Sequence, residues 1–287
     1  MDLPRLAKQA ASAACDDRRW AAGLAFRAYG RRIGVRMSCP DIVARVAARL
    51  PLGWAPAVSP VVERLYSLAT DGEACDDGRA SRLWVDGGEL ARTTSADAAL
   101  DLLEADLQLY VAEMARRRIF IHAGVVGWRQ RAILLPGRSF AGKSTLVAEL
   151  VRAGATYYSD EYAVLDRCGR VHPYARPLSI RDVDGRPRRT TAAALGGRVG
   201  ERPLPVGLVV VTCYQPGVGW QPRPLTPGDG VLALLAHTLP ARRTPAEVLP
   251  VLARVMRRAV VLASDRAEAR PVAAAILSQY DRLPART

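Results

Sequence analysis

The sequence predicts an α/β protein, α+β overall, and three observations carry that prediction. From residue 119 onward, short apolar runs alternate with segments whose apolar residues recur at helical spacing. Residues 137–145 read Gly-Arg-Ser-Phe-Ala-Gly-Lys-Ser-Thr, a full match to G-x-x-x-x-G-K-[ST], set between an apolar run and a helical one. Of the 287 residues, 49% are apolar, enough to build a core in one large domain or two modest ones.

Taken in order, residues 1–30 are rich in Ala and Arg and predict a helix or a loosely held arm. Arg32 to Met37 alternates as a strand does, and Asp41 is placed to cap a short helix from Ile42 to Leu50. Val61 to Leu68 reads as extended, and the acidic, Gly-bearing stretch 71–80 as a loop. Leu83 to Val85 and Glu89 to Ala91 flank Asp86-Gly87-Gly88, a hairpin signal. A helix follows, with Thr94 or Ser95 as N-cap and Leu100, Leu103, Leu107, Tyr110, Val111 and Met114 on one face. Arg116-Arg117-Arg118 suits its C-terminal end, where the dipole favours cations.

Strands are then expected over Ile119 to Val126 and Arg131 to Leu135, followed by the glycine loop and a helix. Thr156 to Ser159, Tyr162 to Leu165 and Arg170 to His172 read as further short strands, and residues 182–204, with five arginines, as a long mobile loop. Val206 to Tyr214 is a core strand by composition. Helices are expected from Pro227 to Leu239, from Thr244 to Arg258 and from Arg266 to Ser278, with a strand at Val260 to Leu262. Pro245 suits a first turn, whereas Pro250 kinks or delays its helix.

The loop motif carries chemistry. A strand, a glycine loop and a helix aim backbone N–H groups and a helix N-terminus at a phosphate. Gly137 and Gly142 permit the tight turn; Arg138, Ser139, Phe140 and Ala141 complete the loop before Lys143, Ser144 and Thr145. Lys143 is placed to reach the β- and γ-phosphates of ATP or another nucleoside triphosphate, and Ser144 to put its hydroxyl on Mg²⁺. Of the 41 Lys and Arg residues only Lys8 and Lys143 are lysines, so the compact point charge at 143 is a chosen one. A boundary near residue 117 therefore divides a small N-terminal α+β domain, 1–117, from a nucleotide-binding domain, 118–287.

Composition narrows the partners. The net charge of +13 invites nucleic acid, but the arginines are spread along the chain and aromatics are only 6%, too few for a stacking platform. Nucleic acid is not the expected partner. No apolar stretch approaches a membrane span, and Lys8, Asp16, Asp17, Arg18 and Arg19 interrupt the first 30 residues where a secretory signal needs an apolar centre. The five scattered cysteines read as free thiols. These observations predict a cytoplasmic protein without a membrane partner.

A phosphate loop needs a carboxylate for its metal. Asp160-Glu161, beginning 17 residues past Lys143, is the candidate pair: Asp160 to hold Mg²⁺, Glu161 to act as general base toward a hydroxyl. The alternative is that the pair merely opens a turn. Of the three histidines, His172 and His237 read as structural, the latter within an amphipathic helix. His122, in a strand, is a site candidate or a satisfied core residue.

His122-Ala123-Gly124-Val125-Val126, the loop 137–145 and Asp160-Glu161 together resemble the HPr kinase/phosphorylase family, over roughly residues 119–166. The resemblance implies a P-loop kinase fold of the HPr kinase/phosphoenolpyruvate carboxykinase type. It implies that His122 lies near the transferred phosphate, that Asp160 takes the metal-binding position, and that Glu161 takes that of the catalytic base. Thr145 stands where the family usually has Glu, and Glu161 replaces a second Asp. The family's glycine-rich segment after the carboxylates is missing, and residues 1–117 do not look like its regulatory domain. The chain looks like a divergent member.

The activity so implied is Mg²⁺- and ATP-dependent phosphoryl transfer to a hydroxyl. Ser or Thr of a peptide or protein is the first choice of acceptor, and a small hydroxylated molecule the second. Arg181 and the arginines of 186–198 are candidates for an acidic peptide or the phosphate, or are simple surface charge. Because the family commonly forms multimers, a homo-oligomer is also implied. The competing reading is an ATP-binding regulatory or assembly protein with little catalysis.

Overall fold

A computed structural model describes residues 20–70, 80–138, 141–181 and 186–282. The expectations for residues 1–19, 71–79 and 182–185, and for Ser139 and Phe140, fall outside these. The chain divides into two compact units, Met1–Arg116 and Arg117–Thr287, both of mixed α/β structure.

The first unit is built on a six-stranded sheet. Its strands are β1 (Ala22–Ala28), β2 (Arg31–Met37), β3 (Ala55–Pro56), β4 (Arg64–Thr70), β5 (Ser81–Val85) and β6 (Gly88–Thr93), in the order β3-β1-β2-β4-β5-β6. Only β2 and β4 run parallel. The helix or arm expected over residues 1–30 is overturned at 22–28: this Ala-rich segment pairs along its whole length with β2, and Ala22, Leu24, Phe26 and Ala28 are buried. Non-local pairing overrides the helical propensity of Ala.

The hairpin at residues 81–93 turns on Asp86 and Gly87, both at positive φ (50° and 87°), the two-residue geometry that matches strand twist. The expected short helix is split into a 3₁₀ turn, Pro40–Ile42, and α1 (Val43–Ala47), with no side-chain cap from Asp41. Helix α2 (Ala96–Met114) is capped by Ser95, whose hydroxyl accepts the Ala98 N–H at 3.2 Å. Leu100, Leu103, Leu107 and Val111 are buried on one face. Cys39 carries a disulfide, while Cys168 and Cys213 are free. Free thiols throughout are thus corrected, and the cysteines no longer argue for a reducing compartment.

The second unit is a sheet between two helical layers. Its strands are β7 (Ile119–Trp128), β8 (Arg131–Pro136), β9 (Thr156–Ser159), β10 (Tyr162–Leu165), β11 (Arg170–His172), β14 (Leu204–Val211), β15 (Arg223–Pro224) and β16 (Val260–Ala263). The order is β11-β10-β7-β8-β14-β16-β15, with β9 on the distal half of β7. β8, β14 and β16 are mutually parallel, so the segments that follow them leave from one edge of the sheet. One face is covered by α3 (Lys143–Arg152) and α6 (Ala269–Asp281), which share a core with Ile133, Leu135, Leu208 and Val210. The other carries α4 (Pro227–Leu235) and α5 (Pro245–Met256), packed on Val125, Leu134 and Val209.

Three expectations in this unit are corrected. Within 182–204, β13 (Pro187–Thr190) pairs with β12 (Leu178–Arg181) as a separate ribbon, so the segment is not all loop. The helix expected to run from Pro227 to Leu239 ends at Leu235 and leaves His237 beyond it. The closing helix starts at Ala269, not Arg266. Among the described residues, no helix is long and apolar enough to cross a membrane.

Candidate nucleotide site

β8 ends at Pro136 and α3 begins at Lys143, so the glycine motif spans the strand-to-helix turn. Gly142 is the N-cap residue at φ 75°, a left-handed conformation that favours glycine. The Gly137 N–H donates to the His122 carbonyl at 3.3 Å. A Cβ on Gly137 would stand 3.4 Å from both Ala141 Cβ and Lys143 Cδ, so Gly137 lies close against the start of the loop helix.

Lys143 is buried although charged, and its Nζ donates to the Arg138 carbonyl at 2.6 Å. Burial pushes its ammonium down to about 8, against the attraction of Asp160 and Glu161. Ser144 is half-buried on the first turn of α3, Thr145 is exposed beside it, and the Arg138 side chain is exposed.

Asp160 and Glu161 lie in the turn between β9 and β10. The Ser159 hydroxyl shapes that turn by accepting the N–H groups of Glu161 (3.2 Å) and Tyr162 (3.0 Å). Asp160 is buried and well partnered. It accepts the Ser179 N–H at 3.1 Å and lies 3.1 Å from the Tyr157 hydroxyl, and the Ser144 hydroxyl is near enough to favour its charged form. Burial nevertheless raises its pKa, against these hydrogen bonds. Glu161 is raised to about 7, by burial first and then by the Asp160 charge, while Tyr162, Lys143 and Arg189 oppose the shift.

β7 joins the two halves. It pairs with β8 on one side and with β10 on the other, where His122 faces Tyr162 in register. The His122 ring centroid is 6.0 Å from that of Tyr162. Burial and the charges of Lys143 and His237 push His122 down to about 4. His237, read as structural, lies beyond its expected helix and close to these groups: its carbonyl accepts the His122 N–H at 2.8 Å, and burial, Lys143 and Arg138 lower its pKa. His172 instead pairs with Asp166 at 3.0 Å, away from these groups.

The fold thus brings His122, Lys143, Ser144, Asp160 and Glu161 to one place. Among protein-family models none matches this chain, and no curated protein matches it either. The site is therefore judged on its own chemistry. Among the described residues no cluster of three or more His, Cys, Asp or Glu is placed to hold a metal. The hard-oxygen pair of Ser144 and Asp160 does fit Mg²⁺, which takes few protein ligands and fills its octahedron with phosphate oxygens and water. Sequence reasoning also missed Arg266. It was expected to open a helix, but it is 1% exposed and its Nη2 donates to the Gly142 carbonyl at 2.7 Å.

Proposed function

We propose that the chain is an ATP-dependent phosphotransferase of the HPr kinase/phosphoenolpyruvate carboxykinase type, acting on a hydroxyl. A Ser or Thr of a peptide or protein is the leading acceptor, and a small hydroxylated molecule the second. The observation that carries this reading is the convergence of Lys143 and Ser144, at the start of the loop helix, on Asp160 and Glu161: Ser144 and Asp160 are close enough to influence each other, and the two carboxylates act on the Lys143 charge. A half-buried carboxylate beside the loop lysine, raised to about 7, suits a general base toward a hydroxyl.

In this reading the backbone N–H groups at the start of α3 and the Lys143 ammonium bind the β- and γ-phosphates. Ser144 and Asp160 would hold Mg²⁺, which when bound would neutralise charge on the phosphate oxygens. Glu161 takes the proton of the acceptor hydroxyl as its oxygen bonds to the γ-phosphorus. The bond to the bridging oxygen breaks, and a nucleoside diphosphate leaves. His122, uncharged at neutral pH, offers a hydrogen bond rather than a positive charge to the transferring group. The unit of residues 1–116 is assigned to acceptor or partner recognition.

Replacing Glu161 by Gln tests the assignment. The variant is expected to bind Mg-ATP as the wild type does and to lose transfer to Ser- and Thr-containing peptides by at least about 100-fold. Full transfer by Glu161→Gln would remove the base from the mechanism.

A further inference from the structure

Among the described residues, the largest side chain fully closed off from solvent is that of an arginine, Arg266. It follows β16, and its backbone is tied to the segment that follows β14. Its N–H donates to the Cys213 carbonyl at 3.0 Å, and its carbonyl accepts the Gln215 N–H at 2.8 Å. Because β8, β14 and β16 are parallel, these segments share an edge of the sheet with the loop 137–142.

The guanidinium has no carboxylate partner among the described residues. Nη2 donates to the Gly142 carbonyl at 2.7 Å, Nη1 donates to the Ala267 carbonyl at 3.0 Å, and Nε is buried without a hydrogen-bond partner. The Tyr214 ring centroid lies 6.0 Å from its Cζ, but carbonyls and a ring leave a buried cation costly unless an anion completes it. The Gly142 carbonyl also accepts the Leu146 N–H at 3.1 Å, so two donors fix this one oxygen. In a planar trans peptide, fixing the Gly142 oxygen fixes the Lys143 N–H in the opposite direction, away from Arg266. That N–H is among the free donors at the helix N-terminus that an anion uses.

We propose that Arg266 is the positioning residue of the phosphate loop: from behind, it locks the left-handed turn at Gly142 and leaves its own buried charge for the anion that the loop receives. Gly142 is matched to this partner, since a Cβ there would stand 2.7 Å from Arg266 Nη2. The proposal rests on residues 137–145 binding a polyphosphate. It goes further by naming a residue 123 positions from Lys143 in the chain, outside every motif, that sets the loop's affinity.

The test is calorimetric binding of Mg-ATP and of inorganic tripolyphosphate to wild type, Arg266→Gln and Arg266→Lys, with circular dichroism confirming the fold. Arg266→Gln is expected to weaken both probes by the same factor, about tenfold or more, the size expected for a charge-assisted hydrogen bond. Arg266→Lys keeps the charge but lacks the fork that spans two carbonyls, and is expected to fall between Gln and wild type. If the Gln variant does not fold, the Lys variant decides. Wild-type affinity in either folded variant overturns the proposal, as does a loss for ATP without one for tripolyphosphate. Failure of the wild type to bind either probe instead overturns the phosphate-loop reading, and the proposal with it.

Discussion

The Gly137 N–H donates to the His122 carbonyl at 3.3 Å, so the first glycine of the loop is anchored on the strand that carries the histidine. The same strand pairs on its other side with β10, which places Tyr162 opposite His122 and the carboxylates just before it. β7 is thus the spacer of the site. Two strand spacings, about 10 Å in all, separate the loop strand from the carboxylate strand. Groups following both strands converge over β7, where Lys143 feels the charges of Asp160 and Glu161.

That arrangement depends on a glycine outside the phosphate loop, Gly124 on β7. A Cβ on Gly124 would stand 2.5 Å from Val147 Cγ2, on a buried, β-branched residue of the loop helix. Gly124→Ala is expected to push α3 off β7 and to cost about 1–3 kcal/mol. Urea denaturation reads the loss, and unchanged stability would show that the helix moves freely.

The loop and its flanks were legible in the sequence because their signals are local: a glycine pattern, a strand before it, a helix after it. Ser95 as an N-cap and the Asp86-Gly87 turn were legible for the same reason. β1 was not, because nothing in Ala22–Ala28 announces its pairing with β2. Arg266 and His237 were not, because each acts where distant segments meet: one on Gly142, the other on His122. A lone arginine after an apolar run carries no sequence signal of burial.

Protonation of His122 is expected to weaken the fold. Burial, Lys143 and His237 hold its pKa at about 4, against an ordinary value of 6.5. The unfolded chain therefore takes up the proton first as the pH falls. The stabilisation from the neutral ring is complete above about pH 6.5 and lost as the pH falls through about 4. His237 is shifted in the same direction, so His122→Gln should reduce the acid slope of stability rather than abolish it. Denaturation curves at intervals between pH 7 and 4 check this; equal slopes for both proteins would refute it.

In the first unit, Tyr66 is fully buried and its hydroxyl donates to Asp106 Oδ1 at 2.7 Å. Arg64 Nη2 reaches the same oxygen at 2.7 Å. Tyr66→Phe would leave that carboxylate one donor short, and is expected to cost about 1–3 kcal/mol. A thermal melt of the variant without a shift would show that water takes the place of the hydroxyl.

Ser144 and Asp160 are expected to act as one unit toward Mg²⁺. Ser144→Ala and Asp160→Asn should each raise the Mg²⁺ concentration needed for half-maximal ATP binding by about tenfold or more. The double variant should show less than the sum of the two effects. Strict additivity would separate the two residues.

The most direct test is transfer of label from γ-labelled ATP to a library of Ser- and Thr-containing peptides, by wild type and Lys143→Ala, with and without Mg²⁺. Label on a peptide with wild type and Mg²⁺ only is the predicted result. Tight ATP binding by wild type with no label transferred to any hydroxyl, peptide or small-molecule, would contradict it.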